Sequence, residues 1–166
     1  MNTSMKRLEV AVNVAILCAF LMVAALAAQR FWSARTNARI TSPEIGTKVS
    51  LAGVDWSKSD RNLVLALSTK CPFCSQSAPF YKELVPDAEQ RGIQIIAVLP
   101  QALPESRSYL NGLGVDVQNI LQSPLDSVKA KATPTLLIVD KTGTINKAWV
   151  GKLESQQEKQ VIASLQ

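Results

Sequence analysis

The chain reads as an α/β protein on a mixed sheet with helices on both faces, and three features of its 166 residues carry that reading. Two apolar runs, Leu63 to Leu67 and Ile93 to Leu99, have the length and composition of strands buried on both sides. Between them, Cys74 to Arg91 carries Phe80, Tyr81, Leu84, Val85 and Ala88 at helical spacing. Further on, Leu136–Val139, the turn residues Asp140 to Gly143 and Thr144–Val150 spell a hairpin. A strand–helix–strand unit needs a parallel pair and a hairpin needs an antiparallel one, so the sheet is mixed.

The remaining elements follow in order. Ser33 to Thr47, polar and holding Ser42-Pro43, reads as a tether with a lead-in loop. Lys48 to Val54 alternates weakly, as an edge strand or hairpin arm would. In the helix from Cys74, Pro79 and Pro86 each predict a kink or restart, and Gly92 ends it. Pro104 opens a short helix that ends near Asn111-Gly112. Val115 to Leu121 suits a short strand, and Pro124 to Lys131 a helical turn or two. Ser155-Gln156-Gln157-Glu158 has the form of a capping box before a last helix with Val161, Ile162 and Leu165 inward. Trp56 and Trp149 are read as core residues.

An extra segment precedes this domain. Val10 to Ala28 is nineteen residues without a charge, just enough for a helix to cross a bilayer, with Lys6 and Arg7 before it. Phe31 and Trp32 suit an interfacial anchor, which favours an uncleaved signal anchor. The alternative is cleavage at Ala25-Leu26-Ala27 and a secreted domain. Cys18 is an apolar filler of that helix. The expected division is residues 1–32 as anchor, 33–47 as tether and 48–166 as the folded domain. Residues 1–39 hold five Lys/Arg and one Glu, whereas 40–166 are nearly balanced at thirteen against twelve. The basic character thus belongs to the anchor flanks, and nucleic acid is excluded as a partner. The short N-terminal tail and export-like layout place the domain outside the cytoplasm, on the periplasmic side of the inner membrane, where disulfides persist.

Cys71-Pro72-Phe73-Cys74 carries the chemistry. It lies between a buried strand and a helix, so both thiols sit on one face of a first helical turn, close enough to form and reopen a disulfide. Unpaired N–H groups at a helix start stabilise a thiolate. Thiol–disulfide exchange needs one acidified nucleophile and a neighbour that resolves the mixed disulfide. With one further cysteine and no histidine, a four-ligand zinc site cannot be assembled, and Ser75 stands where a haem-attachment motif needs histidine. No metal and no cofactor beyond the cysteine pair are expected.

Together with Ala132-Thr133-Pro134-Thr135 ahead of the strand from Leu136, the pair resembles the thioredoxin-like superfamily. Pro79 falls where that family has its helix-kinking proline, Asp140–Gly143 matches its hairpin turn, and Gly151-Lys152-Leu153 the approach to its last helix. The sixty-three residues from Cys71 to Pro134 leave room for the added strand and helix of membrane-anchored redoxins similar to those of cytochrome c maturation. The chain departs from thioredoxin at Lys70, where tryptophan is usual, and at Leu65, in the place of a buried acid.

The resemblance implies a thioredoxin-like fold over roughly residues 45–166 and a redox-active Cys71–Cys74 disulfide, with Cys71 the nucleophile and Cys74 the resolving thiol. It implies that Thr133–Pro134 is cis beside the pair, and that Pro72, Phe73, Thr133 and Pro134 position the partner, Lys70 favouring the thiolate. Phe73 is either a docking surface or folded onto the core; Thr133 either receives the partner chain or pairs as an edge strand. The implied activity is a membrane-anchored thiol–disulfide oxidoreductase, a reductase of exported proteins (apocytochrome c among them) fed by another membrane thiol protein. An oxidase or isomerase is the alternative. A copper chaperone lacks its histidine ligand here, and a peroxidase lacks the proline that Val64 replaces.

Overall fold

The computed structural model describes residues 42–166 and, upstream, residues 13, 16, 17, 19–24 and 26, which are helical. The chain divides into two units, Met1–Ile40 and Thr41–Gln166. Cys18 and the rest of the expected anchor lie outside the described residues. Among the described residues no helix is long and apolar enough to cross a membrane.

The second unit is built on five strands: β1 (Arg61–Ala66), β2 (Gln94–Leu99), β3 (Asn119–Gln122), β4 (Thr135–Asp140) and β5 (Ile145–Val150). Their order across the sheet is β3-β2-β1-β4-β5. β1 pairs in parallel with β2, and β2 with β3, whereas β4 runs antiparallel to β1 and β5. The expected mixed sheet is therefore present, with β1 at its centre. Alternate residues of β1 feed two cores: Leu63 and Leu65 face one, Val64 and Ala66 the other.

The helices are α1 (Pro72–Gln76), α2 (Ala78–Gln90), α3 (Leu103–Leu113) and α4 (Ser155–Ser164). The apolar residues that α2, α3 and α4 bury all enter the core of Leu63 and Leu65. The opposite face is closed by Val49, Leu51, Val128 and Ala130. Helices on both faces is thus a wrong expectation. The segments over the second face hold only 3-10 turns, Trp56–Lys58 and Leu125–Val128, because Gly53 and Pro124 break them into lengths too short for an α-helix.

Other expectations shift in detail. Lys48 to Val54 forms no strand, only a bridge from Lys48 to Thr144. Its backbone leaves the sheet, Ser50 N–H donating to the Ser127 carbonyl at 2.9 Å. The tether boundary also moves: Gly46 N–H donates to the Ile145 carbonyl at 2.8 Å, so the chain is docked before residue 48. Only Pro79 interrupts the helix after Cys74; the break falls at Ser77, and Pro86 is accommodated inside α2. α3 stops at Gly114 rather than Gly112, since Gly114 has the left-handed φ of +68° that a C-cap requires. The strand expected over Val115 to Leu121 is the shorter β3. The capping box slips by one residue: Glu154 caps α4, its own N–H held by Gln157 Oε1 at 3.0 Å. Trp56 and Trp149 are half-buried, packed on opposite faces of the sheet.

Candidate active site

β1 delivers the chain to Ser68, where a turn starts the site. Cys71 N–H donates to the Ser68 carbonyl at 3.1 Å, and Ser68 Oγ accepts from Lys70 N–H at 3.3 Å. Cys71 then becomes the N-cap of α1, its sulfur accepting the Cys74 N–H at 3.4 Å. Pro72, exposed, occupies the first helical turn, where a missing N–H is no loss. Both cysteines are free thiols.

The two thiols have opposite environments. Cys71 is half-buried, whereas Cys74 is fully enclosed beneath the helix. Burial opposes ionisation of Cys71, but hydrogen bonds from the Thr133 side chain, the Cys74 thiol and the N–H groups of Cys74 and Phe73 outweigh it and hold the thiol below the usual range. Burial pushes the Cys74 thiol up to about 12, and its contact with Cys71 adds to that. The helix start therefore favours a thiolate at Cys71 and denies one to Cys74.

The second wall is the loop before β4. The Thr133–Pro134 bond is cis, as expected. Thr135 Oγ1 donates to the Ala132 carbonyl at 2.8 Å and Gly151 N–H to the Pro134 carbonyl at 2.7 Å, which fixes the loop from both ends. The Thr133 carbonyl thereby meets Cys71, whose thiol donates to it at 3.2 Å. Thr133 lies before the first paired residue of β4, so the edge-strand alternative does not apply. Phe73 is 53% exposed and does not fold onto the core. Lys70 is also exposed, and the groups that lower the Cys71 thiol are those of the helix start and Thr133. Leu65, in the place of thioredoxin's acid, is fully buried among apolar side chains.

A third wall was not legible in the sequence. The start of α3 leans on the Cys71 turn: Thr69 Oγ1 donates to Glu105 Oε1 at 2.7 Å, and Gln101 Nε2 to Ser68 Oγ at 3.1 Å. Tyr109 and Ser75 share a hydrogen bond of 3.0 Å. These partners are more than thirty positions apart, and no local pattern announces them. Among the described residues, no three His, Cys, Asp or Glu side chains gather as metal ligands.

No protein-family model matches the chain, and no curated protein matches it in sequence. Solved structures do resemble it. A thiol:disulfide interchange protein of the thioredoxin family from Chlorobium tepidum TLS is 16% identical with a TM-score of 0.56, covering 74% of this chain and 97% of its own. A thiol:disulfide interchange protein from Bacteroides sp. is 15% identical with a TM-score of 0.56, covering 75% and 88%. StoA from Bacillus subtilis is 16% identical with a TM-score of 0.53, covering 72% and 96%. The sheet order, the cysteine pair ahead of a kinked helix and the cis-proline loop against it agree with that likeness, and the chain has the thioredoxin-like fold.

Proposed function

We propose that this chain is a thiol–disulfide oxidoreductase that reduces protein disulfides outside the cytoplasm from a membrane anchor. The observation that carries the reading is the asymmetry of the pair: a half-exposed, acidified Cys71 above an enclosed Cys74 whose thiol is pushed up to about 12. Cys71 thiolate attacks one sulfur of the partner's disulfide, forming a mixed disulfide and expelling the other sulfur as a thiolate. Cys74 then loses its proton and attacks Cys71 Sγ. The Cys71–partner bond breaks, its electron pair leaves with the partner's second sulfur, and that sulfur takes up a proton. The partner gains two electrons and two protons, and Cys71 and Cys74 end as a disulfide, which an upstream dithiol protein must reduce. Exposed Phe73 and Pro72 offer the partner an apolar contact, while half-buried Thr133, backed by the buried Pro134, flanks the other side.

The direction is argued from which groups act on the Cys71 thiolate. Strong thiol oxidants hold their reduced form as a deeply stabilised thiolate. Here burial works against the Cys71 thiolate and the lowering comes from hydrogen bonds alone, with no histidine in the chain. That favours the reductase over the oxidase or isomerase. Insulin reduction by the wild-type protein, lost on blocking the thiols, tests the activity.

Support for the anchor comes from the uncharged run Val10–Ala28 behind Lys6 and Arg7. The anchor would hold the domain near membrane partners such as apocytochrome c and a membrane thiol donor, raising their effective concentration. Residues 41–166 form a compact unit by themselves, so that fragment is expected to be soluble and to reduce small disulfides at the full-length rate. Fractionation of cells checks the tether: the full-length chain should sediment with membranes. A mature protein beginning near Ala28 in the soluble fraction would contradict the anchor.

A further inference from the structure

β1 ends at Ala66 and α1 starts at Pro72, so residues 67–71, which carry the nucleophile, lie outside any strand or helix. Three successive N–H groups in this turn need acceptors if Cys71 is to stand in one place. Cys71 N–H uses the Ser68 carbonyl at 3.1 Å, and Lys70 N–H uses Ser68 Oγ at 3.3 Å. Thr69 N–H reaches outside the turn, to Gln101 Oε1 at 3.3 Å.

The same amide donates through Gln101 Nε2 to Ser68 Oγ at 3.1 Å. A backbone N–H can only donate, so it requires the amide oxygen, and that choice turns the amide nitrogen toward the serine. One side chain thus takes the Thr69 N–H and holds the hydroxyl that takes the Lys70 N–H. Gln101 is itself anchored. It stands two residues beyond the end of β2, and its carbonyl accepts from Oγ of the buried Ser106 at 3.2 Å. Ser106 N–H donates in turn to the Ala102 carbonyl at 2.9 Å, at the start of α3. The clamp therefore ties an irregular turn to two regular elements. Across the site, the Thr133 carbonyl is held by its own loop and meets Cys71 Sγ at 3.2 Å. With that wall fixed, the turn decides where the sulfur stands, and a displacement of about 1 Å would spoil the contact.

We propose that Gln101 is the positioning residue of the nucleophile, its amide clamping the turn of residues 68–70 so that Cys71 Sγ stands at the start of α1 and against the Thr133 carbonyl. The proposal rests on the oxidoreductase reading and deepens it. Gln101 acts through Ser68 and Thr69 and takes no part in the exchange of bonds.

The test is the rate of iodoacetamide alkylation of Cys71 across pH in the reduced full-length protein, read by peptide mass. Gln101→Met keeps the length of the side chain and removes both amide contacts. Its profile should move to higher pH, with modification at neutral pH slowed about tenfold, because a displaced thiolate loses hydrogen bonds that favour it. The titratable groups around Cys71 are left in place: Cys74 on α1, Lys70 in the turn, Glu105 and Tyr109 on α3, and Lys152 beyond the proline loop. A shift therefore reports geometry rather than a lost charge. Ser68→Ala, a smaller change at the other end of the clamp, should move the profile the same way. The double variant should shift by less than the sum of the two. An unmoved profile in either single variant, whatever its thermal midpoint, would overturn the assignment, and so would additive shifts. Alkylation needs no turnover: failure of the wild-type protein to reduce insulin would overturn the oxidoreductase reading and leave this test standing.

Discussion

Cys71→Ser is expected to bring reduction of a protein disulfide to the uncatalysed rate, a loss on the order of 10³-fold or more, while the fold is retained. The half-exposed Cys71 sulfur is the one a partner disulfide can reach; Cys74, beneath α1, is fully enclosed. Serine at position 71 keeps an oxygen able to cap α1, so the loss should be chemical rather than structural. Cys74→Ser has a different outcome. Cys71 still attacks, but nothing resolves the adduct, and a mixed disulfide should accumulate on non-reducing gels. If Cys74→Ser turned over normally and Cys71→Ser trapped the partner, the two roles would be exchanged.

The pH dependence of alkylation should separate the two thiols widely, with Cys71 modified at neutral pH and Cys74 left unmodified. Only the thiolate reacts, and each unit of pKa changes its fraction tenfold below the midpoint. Cys71 is held below the ordinary thiol range and Cys74 is pushed up to about 12, so at neutral pH the thiolate resides on Cys71. The sign follows directly. A lowered pKa leaves Cys71 reactive as pH falls below the usual thiol midpoint, whereas a raised one keeps Cys74 inert until strongly alkaline pH. A brief iodoacetamide pulse on the reduced protein, read by peptide mass, checks this. Modification of Cys74 at pH 7 before Cys71 would contradict the environments described here.

Most of the sheet and the two halves of the redox motif were legible in the sequence because each is a local signal. The apolar run at Leu63 is continuous, the one at Ile93 is interrupted only by Gln94, and the hairpin at Asp140 has turn residues at their proper offsets. Cys71 and Cys74 are three residues apart, and Thr133-Pro134 abuts a strand. What stayed hidden depends on tertiary contact. Nothing near Glu105 marks it as the acceptor for Thr69, since α3 meets the Cys71 turn only once the sheet is assembled. The capping box slipped because Glu154 and Ser155 both precede a suitable third residue, and the Gln157 side chain selects Glu154. The second face carries no α-helix because its segments are short and interrupted, a matter of length that apolar content alone does not reveal.

The measurement that bears most directly on the central claim is a redox titration of the wild-type protein in thiol–disulfide buffers, with Cys71 and Cys74 followed by mass. The account predicts one reversible two-electron couple confined to this pair, with a midpoint nearer about −270 mV than about −120 mV, as suits a reductase. A pair that never forms a reversible disulfide, or one whose midpoint lies near about −120 mV as in a strong oxidant, would contradict it.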